Sequence, residues 1–368
     1  NNKLIHYLNS IGHLYKQEIR KNVEIEHCWR TDTPLIQKLV PSYFLNTDSA
    51  SDTVIELLDG VKWIPEREGE RFKAHVAKKR HWSLSRSRKW GTPIPIWKSD
   101  DGTISEVHLP DLNDLHCSYI DEITYPDPRG SDYPPLRRVP FTFDCWFESG
   151  CMHWAQYDDN QLIPADLVSE GTDQVRGWYY SSCILSAAVF NQLPFKNVIV
   201  NGIVLGQDNK KMSKRTGNFT DPREIIKNYP IDAIRLYLLN SKLTEATEFA
   251  FNEKYLKILV SNFYLQLKNT KQFLKQMLDN YLINNTVESL DATPVTKMEK
   301  WILSEIDTLE KEYHFEMSQL RLAKIYDLLQ DFLFELNNRF IAYNRERFKV
   351  CNPSSLAPER IILAARNI

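Results

Sequence analysis

All twelve glycines of the 368-residue chain lie at or before Gly217, and none follows. Glycine supplies the tight turns and close backbone approaches that strand-rich architecture needs, so the chain is expected to change character near that point. After it, Leu256, Leu259, Phe263, Leu267, Phe273 and Leu274 recur at helical spacing between Glu253 and Leu282. From residue 297 to about 348, Ile302, Ile306, Leu309, Tyr313, Leu320, Ile325, Leu328, Phe332, Leu336 and Phe340 do the same, and no proline interrupts them. The last third is therefore expected to be an all-α bundle with a loop near residues 284–294. Before Gly217, Val198-Ile-Val-Asn-Gly-Ile-Val-Leu205 is a β-branched apolar run suited to one buried parallel strand. Gly177 to Phe190 is apolar and aromatic enough for a buried helix. Helix, connection and strand in that order are the grammar of a doubly wound α/β fold. The proline-rich stretch between Pro110 and Pro140 reads as an irregular surface insertion, spanning about 98–140.

The chain is 42% apolar and 26% charged, as in ordinary globular proteins, and has no run of about 18 apolar residues to cross a membrane. A formal net charge of -2 excludes a generally basic body, so nucleic acid would have to meet local patches. Six scattered cysteines with no Cys-x-x-Cys pair argue against a zinc knuckle and a disulfide framework. His108, His116 and Cys117 lack convincing ligand partners, so no zinc is expected. No export or transit segment stands at the start, and a cytoplasmic location is expected. Asn1-Asn2-Lys3 and Ala364-Ala-Arg-Asn-Ile368 are expected to be cuts in a longer chain.

Four stretches could carry chemistry. Lys210-Lys211-Met212-Ser213-Lys214-Arg215-Thr216-Gly217 follows the expected strand, and a cationic loop there can meet a triphosphate and its leaving pyrophosphate; the alternative is a solvated basic loop. No Gly-x-x-x-x-Gly-Lys phosphate loop occurs. Glu170-Gly171-Thr172-Asp173-Gln174-Val175-Arg176-Gly177-Trp178 packs polar groups just before an apolar helix, where Thr172 or Asp173 could equally be a cap. Phe143-Asp-Cys-Trp146-Phe-Glu-Ser-Gly150 sets aromatics beside carboxylates, a pattern that packing alone also produces. Trp82-Ser-Leu-Ser-Arg86-Ser-Arg88-Lys89-Trp90-Gly-Thr-Pro-Ile-Pro-Ile-Trp97 interleaves cations and indoles, which could meet phosphates and bases or form a cation–π cluster.

Lys211-Met-Ser-Lys-Arg215 resembles the Lys-Met-Ser-Lys-Ser signature of class I aminoacyl-tRNA synthetases, departing from it at Arg215. The other three stretches resemble the Glu-Gly-x-Asp-Gln-x-Arg-Gly-Trp, Trp-Phe-[Asp/Glu]-Ser-Gly and Ser-Arg-x-Arg-x-Trp-Gly-x-Pro-Ile-Pro segments of the isoleucyl branch, the last shared with leucyl enzymes. Cys28-Trp-Arg-Thr-Asp32-Thr-Pro34 resembles the isoleucyl sequence where the chain returns from an inserted editing domain. The resemblance covers roughly residues 25–240 and leans toward eukaryotic cytoplasmic members. It implies the second half of a Rossmann-like doubly wound parallel sheet with insertions, then a helical anticodon-binding bundle. Residues 1–75 would be the return segment from the editing domain, 76–240 the second half of the catalytic domain, and 241–368 the truncated helical domain.

The resemblance also implies ATP-dependent ligation of isoleucine to tRNA(Ile) through an adenylate, with Mg2+ on the phosphates. Lys211 and Lys214 would stabilise the ATP phosphates. Glu170, Gly171, Asp173, Gln174, Asn201, Gly202, Val204, Leu205, Met212 and Ser213 would line the ATP and adenylate site. Trp146 and Trp178 would enclose an aliphatic side chain, where one methylene is worth only about 1–3 kcal/mol, so separate editing is expected. Arg86, Arg88 and Lys89 would meet tRNA. The first class I signature, His-Ile-Gly-His, does not occur, and Ser10-Ile-Gly-His13 is only an echo. The piece is thus expected to be inactive without the N-terminal half of its polypeptide. Leucyl or valyl specificity, a non-catalytic tRNA-binding relative and a nucleotide-binding regulator are the competing readings.

Overall fold

The structure, a computed structural model, describes residues 2–18, 25–28, 31–36, 38–109, 114, 116–157, 161–206, 208–212, 217–218, 221–282 and 296–346. It divides into two compact units, Asn1–Tyr43 and Phe44–Ile368. The first carries the helix Asn2–Ser10 and a short bridge between His27 and Pro34, closed where Cys28 N donates to Thr33 O at 2.8 Å.

The second unit is built around three parallel strands: β1 (Lys62–Ile64), β2 (Val168–Gly171) and β3 (Asn197–Asn201). β3 lies between the other two, its Val198 level with Val168 on one side and with Trp63 on the other. Helices α1 (Asp48–Leu57), α2 (Glu66–Val76), α3 (Cys145–Gly150) and α4 (Trp178–Phe190) accompany this sheet. α4 is apolar around nearly its whole circumference, which a helix tolerates only when enclosed. Accordingly Tyr179, Cys183 and Ile184 are fully buried, in one cluster with Val54, Phe72, Phe195, Val198 and Val200. α3 approaches α4 closely because Gly150 has no side chain: a Cβ there would stand 2.9 Å from Leu185 Cδ1 and 3.1 Å from Ser181 C.

Three expectations need correction. The boundary expected at 75 falls inside α2, whose Phe72 and Val76 are core residues, so the α/β body already includes residues 44–75. The segment expected to be an irregular insertion holds a four-stranded antiparallel sheet, ordered Ser105–Val107, Ile96–Lys98, Leu136–Arg138, Thr124–Tyr125. Trp97, Ile120 and Leu136 give it a core of its own, and Trp97 Nε1 donates to Ile123 O at 2.8 Å. Finally, the run 198–205 is not one strand. β3 ends at Asn201, and β4 (Val204–Leu205) pairs in parallel with Phe249–Ala250 in a different sheet. The chain changes sheet at Gly202, whose N–H donates to Leu243 O at 2.8 Å and whose missing Cβ would lie 1.8 Å from Thr247 O.

After β4 come α5 (Pro222–Asn228) and α6 (Ile231–Leu239), then α7 (Glu253–Leu259), a π turn Val260–Tyr264 and α8 (Leu265–Leu282). The expected loop near 284–294 lies outside the described residues. α9 (Lys297–Ser318) starts at a reciprocal cap in which Glu299 N donates to Thr296 Oγ1 and Thr296 N to Glu299 Oε2. The helical stretch expected from 297 onward breaks at Leu320, in the left-handed region with φ 59°, before α10 (Leu322–Phe334). Leu274, Ile302, Leu336 and Phe340 form the bundle's core. Among the described residues no helix is long and apolar enough to cross a membrane.

Candidate functional site

Parallel strands present their carboxyl ends on one edge of a sheet, where such folds place ligands. Here the register sets Glu170 beside Val200 and Gly171 beside Asn201, so two of the stretches singled out in sequence meet at one edge. The edge is locked by a buried phenol. Glu170 N donates to Tyr179 Oη at 2.7 Å, and that hydroxyl lies 3.3 Å from Ile199 O, so α4 holds the ends of β2 and β3 level. Burial pushes the Tyr179 hydroxyl well above its ordinary pKa and keeps it a neutral donor. Asn201 Nδ2 donates to Ser169 Oγ at 2.7 Å, a second tie between the strands. The sequence pointed to none of this for Tyr179; its one visible sign was a hydroxyl within an apolar helix.

From this edge Glu170 and Asp173 are exposed. Gln174 is engaged within its own segment: its Nε2 donates to Asp173 Oδ2 at 3.2 Å, and its Oε1 lies 3.5 Å from Trp178 N at the start of α4. Gly171 carries no side chain where a Cβ would meet Asp173 Oδ1 at 2.6 Å. Two exposed carboxylates beside a backbone stripped of side chains at Gly171 and Gly202 can take an ammonium and hydroxyl groups.

The lysine loop grows from β4. Leu205 bridges Lys211, and Gly206 N donates to Lys210 O at 2.9 Å, making a tight turn. Asp208 fixes it: the carboxylate accepts from Asn218 Nδ2 at 3.2 Å and from Lys210 N at 3.1 Å, in that order holding its pKa below the usual range. Lys211 is exposed, while Met212 turns inward with Val204 onto an apolar cavity of about 280 Å³ lined by residues of α5 and α6. Leu205 is buried, so it meets a ligand with main chain at most. Ser213 and Lys214 lie outside the described residues.

The tryptophans part company. Trp146 is 38% exposed and lines a cavity of about 310 Å³ with Gly177. Trp178 does not line that cavity; its Nε1 donates to Ser149 O at 3.1 Å and its ring packs on His153 and Phe195. His153 is buried, and burial pushes its pKa down to about 4. Arg86 is spent inside the fold, its Nη2 donating to Asp144 Oδ2 at 2.7 Å and its Nη1 to Ser83 O at 2.9 Å. Asp144 also accepts from Trp82 Nε1 at 3.0 Å and caps α3, a hub that an Asp directly before a helix could have signalled. Arg88 and Lys89 are exposed, and Lys89 shares a cavity of about 230 Å³ with Trp90 and Glu148. Glu148 Oε1 accepts from Thr92 N at 3.0 Å and so joins the third stretch to the fourth.

A three-strand parallel edge with paired carboxylates, followed by a lysine turn and a helical bundle, defines a class. Residues 3–250 match the family described as tRNA synthetases class I (I, L, M and V), and the chain belongs to that family. Within it, the chain is 37% identical over 361 residues to an isoleucine–tRNA ligase of Bdellovibrio bacteriovorus, covering 93% of this chain and 34% of the relative. It is 36% identical over 377 residues to the cytoplasmic isoleucine–tRNA ligase of Saccharomyces cerevisiae, covering 94% and 34%. A bacterial and a eukaryotic relative are thus equally near, which gives no support to the expected eukaryotic leaning. The chain spans about a third of the length of these relatives. Among solved structures, methionyl-tRNA synthetase of Mycobacterium tuberculosis in complex with methionyl-adenylate superposes with a TM-score of 0.64 at 16% identity, covering 91% of this chain and 60% of that one. That likeness concerns the fold: a Rossmann-like α/β domain followed by helices, as expected from the sequence.

Proposed function

We propose that the protein carrying this chain ligates isoleucine to tRNA(Ile) in two steps, through an isoleucyl-adenylate, and that this chain supplies the lysine-loop half of the catalytic site. The observation that carries the proposal is the register that sets Glu170 and Gly171 level with Val200 and Asn201, beside the root of the lysine turn. Glu170 and Asp173 bind the amino group and ribose, with Gln174 orienting Asp173. Gly202 and Val204 offer main chain to adenine. Lys211, with Lys214, stabilises negative charge on the ATP phosphates as the isoleucine carboxylate attacks the α-phosphorus and pyrophosphate leaves. Trp146 lines the aliphatic pocket, Trp178 backs it from behind by holding α3 through Ser149 O, and Arg88 and Lys89 meet tRNA. Mg2+ on the ATP phosphates would offset part of their charge. The helices beyond residue 240 belong to the anticodon-binding body, the rest of the polypeptide completes the site, and the work is cytoplasmic.

ATP–pyrophosphate exchange by the full-length protein with isoleucine, valine and leucine tests this. Isoleucine should drive the fastest exchange and valine a weaker one. Exchange driven by leucine would overturn the amino acid, and exchange with none of the three would overturn the activity.

A further inference from the structure

Arg80, Arg86 and Arg176, with His75 and His81, line the 310 Å³ cavity against a single carboxylate, Asp144. Asp144 is already committed to Arg86 and to Trp82. One guanidinium is therefore balanced and two are not, since neither Arg80 nor Arg176 enters an ion pair among the described residues. The placement of Arg80 is built into the fold. Its carbonyl accepts from Thr47 Oγ1 at 3.1 Å and from Tyr180 Oη at 3.4 Å, pinning its loop to the start of α1 and to α4. Arg176 sits directly before Gly177 and α4. His75 of α2, edge-on to Tyr180 with centroids 5.1 Å apart, has its pKa lowered by burial first and then by Arg176, Lys78 and Arg80. Both unbalanced guanidiniums thus bear on the same histidine, which stays neutral near pH 7 and contributes hydrogen bonding rather than charge.

Two guanidiniums without an ion-pair partner line one cavity, and their planar forks match phosphate oxygens. Gly177 and Trp146 line the same cavity, so it adjoins the expected amino-acid pocket. We propose that this cleft is a phosphate subsite and that, in the tRNA ligase on which this inference rests, it holds a backbone phosphate of the tRNA strand whose end must reach that pocket. Arg80 and Arg176 grip the phosphate, and Arg86, tied to Asp144, forms the wall.

The test uses the full-length protein with Arg80→Gln, Arg80→Lys and Arg176→Gln, reading aminoacylation against tRNA concentration at several salt concentrations, with ATP–pyrophosphate exchange in parallel. Arg80→Gln should raise the KM for tRNA about tenfold, the loss of one charged hydrogen bond. It should also flatten the dependence of log affinity on log salt by about one unit, while exchange stays at the wild-type rate. Arg80→Lys should restore the salt slope but only part of the affinity, and Arg176→Gln should shift the tRNA KM in the same direction. If Arg80→Gln abolishes calorimetric binding of inorganic phosphate but leaves the tRNA KM alone, the subsite stands and its phosphate is a free one. Unchanged tRNA KM together with unchanged phosphate binding overturns the proposal. So does a matching rise in the KM for ATP or isoleucine, which would make the cleft part of the adenylate site. Failure of the parent assignment shows separately, as wild-type exchange that does not depend on isoleucine.

Discussion

The 82–97 and 170–178 stretches look alike as sequence, each a cluster of charge and indole beside an apolar element, yet the fold spends them differently. In the first, Arg86 and Trp82 both close on Asp144 and Trp97 is wholly buried, leaving Arg88, Lys89 and Trp90 outside. In the second, the main chain and Tyr179 do the fastening, and the Glu170 and Asp173 side chains stay exposed. A charged residue is available for chemistry when something else holds its backbone. Where the charge itself holds the backbone, removing it costs stability first.

That contrast can be broken at four points. The largest effect is expected at the loop: Lys211→Ala in the full-length protein should slow ATP–pyrophosphate exchange about 10²–10³-fold with no change in Tm, since its side chain is exposed. Gly202→Ala drives a Cβ onto Thr247 O and should destabilise by about 3 kcal/mol or more, read by urea unfolding. Asp144→Ala strands Arg86 and Trp82 and should cost about 3 kcal/mol, whereas Glu170→Ala should stay within about 0.5 kcal/mol while activation falls. Equal stability losses in that last pair would erase the distinction between the two stretches.

The smallest effect concerns pH. His153, packed under Trp178, has its pKa pushed by burial from 6.5 to about 4. The unfolded chain takes up that proton first as pH falls, so the stability it contributes is complete above about pH 6.5 and is lost toward pH 4. His153→Phe should flatten the acid limb of the stability profile by on the order of 2 kcal/mol. An unchanged limb would mean that His153 is not enclosed with Trp178.

Local patterns carried far. The helix expected over 177–190 is α4 at Trp178–Phe190, because an all-round apolar segment has one way to be satisfied. What stayed hidden depends on distant partners or very short elements. The break at Gly202 is imposed by Leu243 and Thr247, some forty residues on, and no spacing within 198–205 reveals it. The insertion's strands are two or three residues long, too short to show alternation. The turn at Leu320 uses a left-handed leucine where a glycine would have announced it. For the candidate site, the edge residues were legible as a motif. The commitment of Arg86 and the separation of Trp178 from the Trp146 cavity follow only from packing.

The most direct measurement is calorimetric binding of a non-hydrolysable isoleucyl-adenylate analogue to the full-length protein, wild type against Asp173→Ala. One adenylate site at the edge of β2 and β3 predicts tight binding by the wild type, weaker binding of the leucyl analogue, and at least about a tenfold loss in Asp173→Ala. Equal affinity for the isoleucyl analogue in wild type and variant would contradict it.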